Sequence, residues 1–322
     1  MTGGQENAVK PIVLAHGYLG FANLGAVQYF NGVKQHLEDK WNTEVFASTV
    51  GPKDSVAARA ADLEAEIRLR FGGESVHIIA HSMGGLDARY LLFPKNGVPS
   101  DLVASLTTIS TPHQGTFIAE IAMGAVKPAQ LLQSERLKRA IPKVVASVED
   151  VWKDLKSFLL RRPRLIRPQI DWKSVLESVR SVLKSAQNDD PGPLAVYLRK
   201  LFAFKDQALY DLTPRGCAEL FDDKLTPPVP CFSYAASAAP SGTLSPLLLL
   251  SHLLLKAANG ENDGLVSVAS AQWQNSMRTL PADHLGVIGW GSVESAEYLT
   301  WYDQMIMNIQ QCPRAANTGV ED

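Results

Sequence analysis

The chain lacks the long apolar run that would place it in a membrane. Its most apolar stretch, residues 244–255, is broken by two serines, a proline and a histidine. It falls short of the roughly 20 apolar residues that a membrane span requires. The N-terminus is polar and carries no apolar signal-peptide region. The sequence therefore predicts no transmembrane segment and no signal peptide. It leaves the compartment unknown, and a secreted mature form stays open.

Cysteine is scarce, and the chain has only Cys217, Cys231 and Cys312. The number is odd, and no two of them have the close spacing of a metal-binding pair. Two alternatives remain open for Cys217 and Cys231, a disulfide in an oxidising compartment or a pair of buried free thiols. No metal site is predicted.

An excess of charge is also missing, because the formal net charge is −2 over 322 residues, of which 46% are apolar and 20% charged. This is ordinary globular composition. Between Glu120 and Asp206, however, 17 Lys and Arg stand against 10 Asp and Glu. A local basic segment without a recognised nucleic-acid module does not predict nucleic-acid binding. It indicates instead that this segment meets a different partner from the rest of the fold.

Short apolar, β-branched segments alternate with helical patterns through the first third of the chain. Four of these segments are predicted strands buried on both faces, and three are predicted helices. The strands are Ile12–Ala15, Val45–Val50, Val76–Ala80 and Leu102–Ile109, and the helices are Val27–Lys40, Val56–Arg70 and Leu86–Phe93. The alternation predicts an α/β fold with a doubly wound, mostly parallel sheet.

The pattern changes after Thr116, and residues 120–208 show amphipathic helical periodicity without a clear strand. Connections in compact folds rarely run so long without a function. We therefore predict a core in two parts, 1–118 and 207–322, with a helical cap or lid inserted over 119–206. A strand at Val229–Ala235 and a last helix at Ser295–Gln310 are predicted in the second part of the core.

The motif Ala80-His81-Ser82-Met83-Gly84 stands at the end of a predicted strand and ahead of a helical pattern. A sharp strand-to-helix turn lifts a serine hydroxyl out of the sheet, and small neighbours let the backbone pass through the strained corner. The usual form is G-x-S-x-G, and Ala80 replaces the first glycine by another small residue. Ser82 is therefore the candidate nucleophile.

A serine nucleophile needs an imidazole to take its proton and a carboxylate to orient that imidazole. On a turn of this kind the chain order is serine, then acid, then histidine. Of the seven histidines, only His284 lies beyond a plausible acid turn, and Asp263 in Asn-Asp-Gly precedes it by 21 residues. We predict His284 as the base and Asp263 as the acid. Asp211 and Asp283 are the alternative acids, and Asp87 is expected to point away from the site.

Acyl-transfer chemistry also requires N–H donors for the developing oxyanion. One donor is the residue after the nucleophile, Met83. The glycine-flanked loop His16-Gly17-Tyr18-Leu19-Gly20 follows the first predicted strand, and the Tyr18 N–H is the expected second donor. The alternative is that the glycines of this loop only form a turn.

Five blocks of sequence together resemble the triacylglycerol lipases and carboxylesterases of the α/β-hydrolase superfamily. They are residues 14–21, 80–90, 110–116 and 262–268 and the dipeptide Asp283-His284. The resemblance covers residues 10–118 and 207–310. It implies that Ser82, Asp263 and His284 form the catalytic triad, that Tyr18 and Met83 supply the oxyanion N–H groups, and that the insert is a lid.

Two family positions receive no catalytic or metal-binding role. Related secreted bacterial lipases hold a structural calcium through an aspartate two residues after the catalytic histidine, whereas Gly286 stands at that position here. The calcium site is therefore not carried over. His113 matches a family position and is expected to support the floor of the site.

The resemblance implies a serine hydrolase that cleaves carboxylic esters of hydrophobic acyl chains through an acyl-enzyme, without a cofactor. A polyester hydrolase, a thioesterase, an acyltransferase and a non-catalytic lipid-binding scaffold remain alternatives on the same fold. The cap is a candidate for peripheral contact with a lipid or polymer surface. The residues that suggest this contact are Trp172, Leu247–Leu250, Arg161, Arg162, Arg164 and Arg167. The alternative is that its apolar stripes pack on the core.

Overall fold

The computed structural model describes residues 9–20, 23–24, 27–94, 100–123, 206–239, 243–245, 248–290, 293 and 295–311. The strands among these residues are β1 (Ile12–Ala15), β2 (Asn23–Leu24), β3 (Val27–Gln28), β4 (Val45–Ala47), β5 (Val76–His81), β6 (Val103–Ile109), β7 (Cys231–Ala236) and β8 (Asn275–Leu280). The helices are α1 (Val33–Trp41), α2 (Val56–Phe71), α3 (Met83–Leu92), α4 (Phe117–Met123), α5 (Gln207–Asp211), α6 (Pro214–Leu220), α7 (Leu249–Asn259), α8 (Val268–Ala271) and α9 (Ser295–Gln311), with a 3₁₀ turn at Gly286–Ile288.

Six strands form one sheet in the order β4-β1-β5-β6-β7-β8, and every neighbouring pair is parallel. The short strands β2 and β3 pair antiparallel beside it. In a sheet of this kind ligands bind beyond the carboxyl ends of the strands. The loops that follow β1, β5 and β8 carry residues 16–20, Ser82 and His284, respectively.

Helices cover both faces of this sheet because its central strands are apolar on both sides. From β1, Ile12 and Leu14 join a buried cluster with side chains of α1 and α9. Val13 and Ala15 point the other way, into a cluster with side chains of α2 and α3. Burying one such aliphatic side chain contributes about 1.5–3 kcal/mol. The predicted doubly wound, parallel α/β fold is confirmed.

The predicted secondary structure differs from the structure in the start of one helix and in one strand that it missed. The predicted helix Val27–Lys40 begins only at Val33, because Gly32 before it has a φ of 72°, a left-handed conformation that an α-helix does not contain. Residues 27–28 instead form β3. The edge strand β8 was not predicted, since five of its six residues are exposed and show no apolar alternation.

Smaller differences concern element ends. The strand predicted to Val50 ends at Ala47, the strand predicted from Val229 begins at Cys231 after Pro230, and α3 begins at Met83 rather than Leu86. The other predicted strands and helices in the two core parts agree with the structure within one residue.

The predicted division into core and inserted cap stays a prediction, because residues 124–205 lie outside the described residues, with Trp172 and the four arginines among them. Within the apolar cluster 247–250, Leu248 and Leu249 are buried, so these two side chains are not available to a lipid surface. No helix among the described residues is both long and apolar enough to cross a membrane.

Candidate active site

Ser82 occupies a strained corner between β5 and α3. Its φ of 56° and ψ of −129° lie outside the regions that a non-glycine residue ordinarily adopts. The corner is compressed against the neighbouring strand, because a Cβ on Gly84 would lie 2.5 Å from the Ala15 carbonyl oxygen and 2.7 Å from that of His16. Ala80, which stands where a glycine is usual, keeps regular sheet register with Ala15 and Thr108.

The structure brings Ser82, His284 and Asp263 into one hydrogen-bonded chain. His284 Nε2 lies 2.9 Å from Ser82 Oγ, and His284 Nδ1 lies 2.8 Å from Asp263 Oδ2. Asp263 accepts only, so Nδ1 carries the hydrogen and Nε2 is left to accept the serine proton. The exposed fractions of these residues are 8%, 5% and 1%, respectively, so little water competes for the contacts.

Asp263 is fixed by its own loop, which follows α7. Its Oδ1 accepts the N–H groups of Leu265 and Val266 at 2.9 and 2.7 Å, while its main-chain oxygen accepts the N–H of His284 at 2.8 Å. The turn requires glycine at 264, where φ is 102°. The carboxylate therefore reaches the imidazole with its second oxygen already oriented.

In the loop after β1, the backbone N–H of Tyr18 has no hydrogen-bond acceptor among the described residues. The N–H of Gly17 donates to Tyr29 Oη, that of Leu19 to the Pro52 carbonyl, and that of Gly20 to the Gly17 carbonyl. Met83 is the first residue of α3, so its N–H lacks an intrahelical acceptor. Both predicted oxyanion donors are therefore available, and the Gly17 backbone lies against the Ser82 side chain.

The chain is similar to known proteins over part of its length. A family profile described as "PGAP1-like alpha/beta domain" matches residues 67–125, which include the Ser82 turn. The triacylglycerol lipase of Pseudomonas fragi is 34% identical over 128 residues, or 39% of this chain and 42% of that protein. The chain therefore has the α/β-hydrolase fold, and about two fifths of it is similar in sequence to a triacylglycerol lipase. It aligns with less than half the length of the curated lipases it matches, for example 42% and 39%.

Solved lipase structures share the fold of this chain along almost its whole length. The mature lipase BlEst2 of Bacillus licheniformis gives a TM-score of 0.58 at 17% identity, covering 94% of this chain and 93% of that one. The lipase of Staphylococcus hyicus gives a TM-score of 0.55 at 19% identity, covering 95% and 97%. At such identities the likeness establishes the fold alone.

A contact that sequence reasoning missed joins residues 16–20, called the oxyanion loop here after their predicted role, to the imidazole of His284. Tyr29 Oη accepts the Gly17 N–H at 3.1 Å and lies 2.8 Å from Nδ1 of His81, whose ring centroid is 4.5 Å from that of His284. Burial, and secondarily the charge of His284, lowers the pKa of His81 well below its usual value. His81 is therefore neutral and accepts the Tyr29 hydroxyl hydrogen. No sequence signal marks Tyr29, which fell inside the predicted helix Val27–Lys40.

A second missed contact anchors the side chain of Tyr18. Its hydroxyl donates to Asp206 Oδ2 at 2.8 Å, while Asp206 Oδ1 caps α5 by accepting the Leu209 N–H at 2.8 Å. The tyrosine ring packs against an apolar cluster that includes Met83. Both residues proposed as oxyanion donors therefore touch the same cluster.

The alternative acids do not contact the imidazole through their carboxylates. Asp211 accepts the Val56 N–H at the start of α2, and Asp283 accepts backbone N–H groups on either side of His284. Asp87 points away from the triad, as expected. It forms a buried ion pair with Arg59, whose guanidinium also donates to the carbonyls of His16 and Gly51.

The buried histidines outside the triad are neutral supports. Burial lowers the pKa of His16 to about 4 and that of His113 well below its usual value. The His113 ring stacks on Trp273 at 4.7 Å, and its Nε2 lies 3.0 Å from Thr108 Oγ1. His113 makes no contact with the triad among the described residues.

Neither a metal site nor a disulfide is formed by the described part of the chain. No group of three or more His, Cys, Asp or Glu side chains that could hold a metal ion occurs within it. Cys217 and Cys231 are buried free thiols, and burial raises the pKa of each to about 12. The free-thiol alternative therefore describes them, while Cys312 lies outside the described residues.

Proposed function

We propose that this protein is a serine hydrolase that cleaves carboxylic esters of hydrophobic acyl chains. The observation that carries the proposal is the continuous chain from Ser82 Oγ through His284 to Asp263 at 2.9 and 2.8 Å. The names of the matched relatives, triacylglycerol lipases, support the same class of reaction.

The proposed reaction forms and then breaks an ester to Ser82. Ser82 Oγ attacks the substrate carbonyl carbon while its proton passes to His284 Nε2. The carbonyl oxygen becomes an anion that the N–H groups of Tyr18 and Met83 stabilise. The intermediate collapses by breaking the carbon–oxygen bond to the alcohol, which leaves with the proton from Nε2.

A water molecule then completes the cycle. It gives its proton to His284 Nε2 and attacks the acyl carbon, and collapse of the second intermediate releases the acid and returns the proton to Ser82 Oγ. Asp263 keeps Nδ1–H oriented and stabilises the imidazolium in both halves. Because protons and electron pairs balance among these groups, the proposed reaction needs no cofactor.

The preference for hydrophobic acyl chains rests on what lies beside the oxyanion donors. Tyr18 and Met83 border a buried apolar cluster formed by α2, α3, α4, α5 and α6. Leu19, directly after Tyr18, is 47% exposed and has a φ of 55°. It adds an exposed apolar side chain next to a proposed oxyanion donor.

Hydrolysis of p-nitrophenyl esters from acetate to laurate, with a tributyrin emulsion alongside, tests the proposal. We expect turnover that rises with acyl length and that falls about 10⁴- to 10⁶-fold in Ser82→Ala. Turnover in Ser82→Ala close to that of the parent would exclude Ser82 as nucleophile. No turnover by the folded parent with any ester would favour a non-catalytic lipid-binding protein instead.

The same experiment addresses surface contact by the cap. A rate that jumps when a short-chain ester exceeds its solubility limit would support binding of the protein to a lipid surface. A rate that follows ordinary saturation through that limit would indicate an esterase of dissolved substrates.

A further inference from the structure

One buried carboxylate next to the triad has no part in the proposed proton transfer. Asp283 directly precedes His284 and is 0% exposed. Its Oδ2 accepts the Ser245 N–H at 2.5 Å, and its Oδ1 accepts the N–H groups of Leu285 at 3.1 Å and Gly286 at 2.6 Å. These three charge-assisted hydrogen bonds hold the side chain firmly, since each is about twice as strong as a neutral hydrogen bond.

These bonds hold the loop of His284 from both sides. Ser245 belongs to the connection between β7 and α7, whereas Leu285 and Gly286 lead into the 3₁₀ turn after the histidine. The fit is close, because a Cβ on Gly286 would lie 3.1 Å from Asp283 Oδ1. Together with the bond from the His284 N–H to the Asp263 carbonyl, they leave the histidine backbone little freedom.

We propose that Asp283 is a positioning residue for His284: its ionised carboxylate ties the histidine loop to the β7–α7 connection and so keeps Nε2 in reach of Ser82. This inference rests on the proposed ester hydrolysis. Asp283 does not touch the substrate. It acts by limiting the positions of the imidazole, and a displacement of about 1 Å at a reacting group can cost on the order of 10²-fold in rate.

The charge state of Asp283 gives this role a pH dependence. Burial raises the pKa of Asp283 to about 6, against the lowering effect of the N–H groups of Ser245, Gly286 and Leu285. Asp263 is the charged group that acts on it, and its charge raises the pKa further, while His284 is its neighbour in the chain. Above about pH 6 the carboxylate is ionised and accepts all three N–H groups. Below that pH a carboxyl hydrogen replaces one acceptor site, so the loop loosens.

Asp283→Asn separates this role from the triad. The asparagine keeps the shape of the aspartate side chain and one acceptor oxygen. Its NH₂ group, however, faces the N–H of Ser245, so that two donors meet and this hydrogen bond is lost. We expect kcat at about pH 8 to fall about tenfold, with KM within about twofold of the parent. On the acid side, log kcat of the parent should fall more steeply with falling pH than that of the variant, because Asp283 takes up a proton near pH 6 in the parent only.

A buried aspartate elsewhere provides the matched control. Asp303 is 5% exposed and accepts hydrogen bonds from His36, Lys40 and Trp41, remote from the triad. Asp303→Asn should destabilise the fold while leaving kcat and the acid slope as in the parent. A merely structural role of Asp283 would make the two variants behave alike.

Parental kcat and a parental acid slope in folded Asp283→Asn would overturn the inference. If that variant does not fold, Gly286→Ala replaces it, because its Cβ presses on Asp283 Oδ1 from a backbone conformation that alanine can adopt. A lower kcat at unchanged KM in Gly286→Ala supports the inference, and a parental kcat overturns it. Ser82→Ala run in parallel keeps the outcomes apart, since a failure of the proposed function shows as turnover that does not depend on Ser82.

Discussion

Replacing Gly17 by alanine tests how closely the oxyanion loop lies against the nucleophile. The added Cβ would lie 2.7 Å from Ser82 Cβ and 2.9 Å from Tyr29 Oη, whereas ordinary contact begins at 3.4 Å. Because β5 and α3 fix the serine, the loop has to withdraw by about 0.7 Å. The backbone at Gly17 has no positive φ, so the strain arises from the contact alone.

This withdrawal should cost catalysis without costing substrate binding. Losing one oxyanion donor lowers kcat by roughly 10²- to 10³-fold, or about 2.7–4 kcal/mol. We expect a displaced Tyr18 N–H to lower kcat of Gly17→Ala about 10²-fold, with KM within about twofold of the parent. Initial rates with p-nitrophenyl butyrate give both constants, and urea titration shows whether the fold is retained.

Gly73→Ala is the matched control, because a Cβ at Gly73 has no neighbour within 4 Å. It should leave kcat and KM unchanged. A folded Gly17→Ala protein whose kcat lies within about threefold of the parent would refute the reasoning, since the loop would then not depend on its contact with Ser82.

Buried and coupled polar groups give three further predictions. Arg59→Met leaves the Asp87 carboxylate buried and unpaired, both being at most 1% exposed, so urea titration should show a loss of about 3–5 kcal/mol that Asp87→Leu largely restores. Burial lowers the pKa of His77 to about 4, so its contribution to stability is complete above about pH 6.5 and is lost as pH falls towards 4. The difference in unfolding free energy between His77→Gln and the parent should therefore shift in favour of the variant by roughly 1–3 kcal/mol as pH falls from 8 to 4.5. Tyr18→Phe loses its hydrogen bond to Asp206, and ester assays should show kcat about fivefold lower at unchanged KM.

Each of these three predictions has a contrary result. An Arg59→Met protein as stable as the parent would show that the ion pair is not what holds α2 to α3. A pH-independent stability difference for His77→Gln would show that this histidine titrates alike in the folded and unfolded chains. A parental kcat in Tyr18→Phe would remove the Asp206 contact from the account of the oxyanion loop.

The core of the fold could be predicted because its strands are buried on both faces. β1 and β5 are short apolar runs bounded by loops, and the predicted ends agree with the structure within one residue. The edge strand β8 carries no such signal, since five of its six residues are exposed to solvent. A helix start at Val33 depends on the left-handed backbone of Gly32, which residue periodicity does not report.

The residues of the candidate site could be predicted for a different reason. The motif at residues 80–84 selected Ser82, and the chain order of serine, acid and histidine then selected Asp263 and His284. Parallel strands bring the loops at their carboxyl ends to one edge of the sheet. The contacts Tyr29–His81 and Tyr18–Asp206 join residues 52 and 188 positions apart. The local sequence of neither tyrosine indicates the partner of its hydroxyl, so only the packed structure reveals these two contacts.

Covalent labelling with a fluorophosphonate tests the central claim most directly, because the reagent reacts with an activated serine and needs no knowledge of the substrate. Mass spectrometry of the intact and digested protein should find one adduct, located on Ser82 and absent from Ser82→Ala. The rate of labelling should fall at least about 10³-fold in His284→Ala. A folded parent that stays unlabelled, or one that carries its adduct on another residue, would contradict the account.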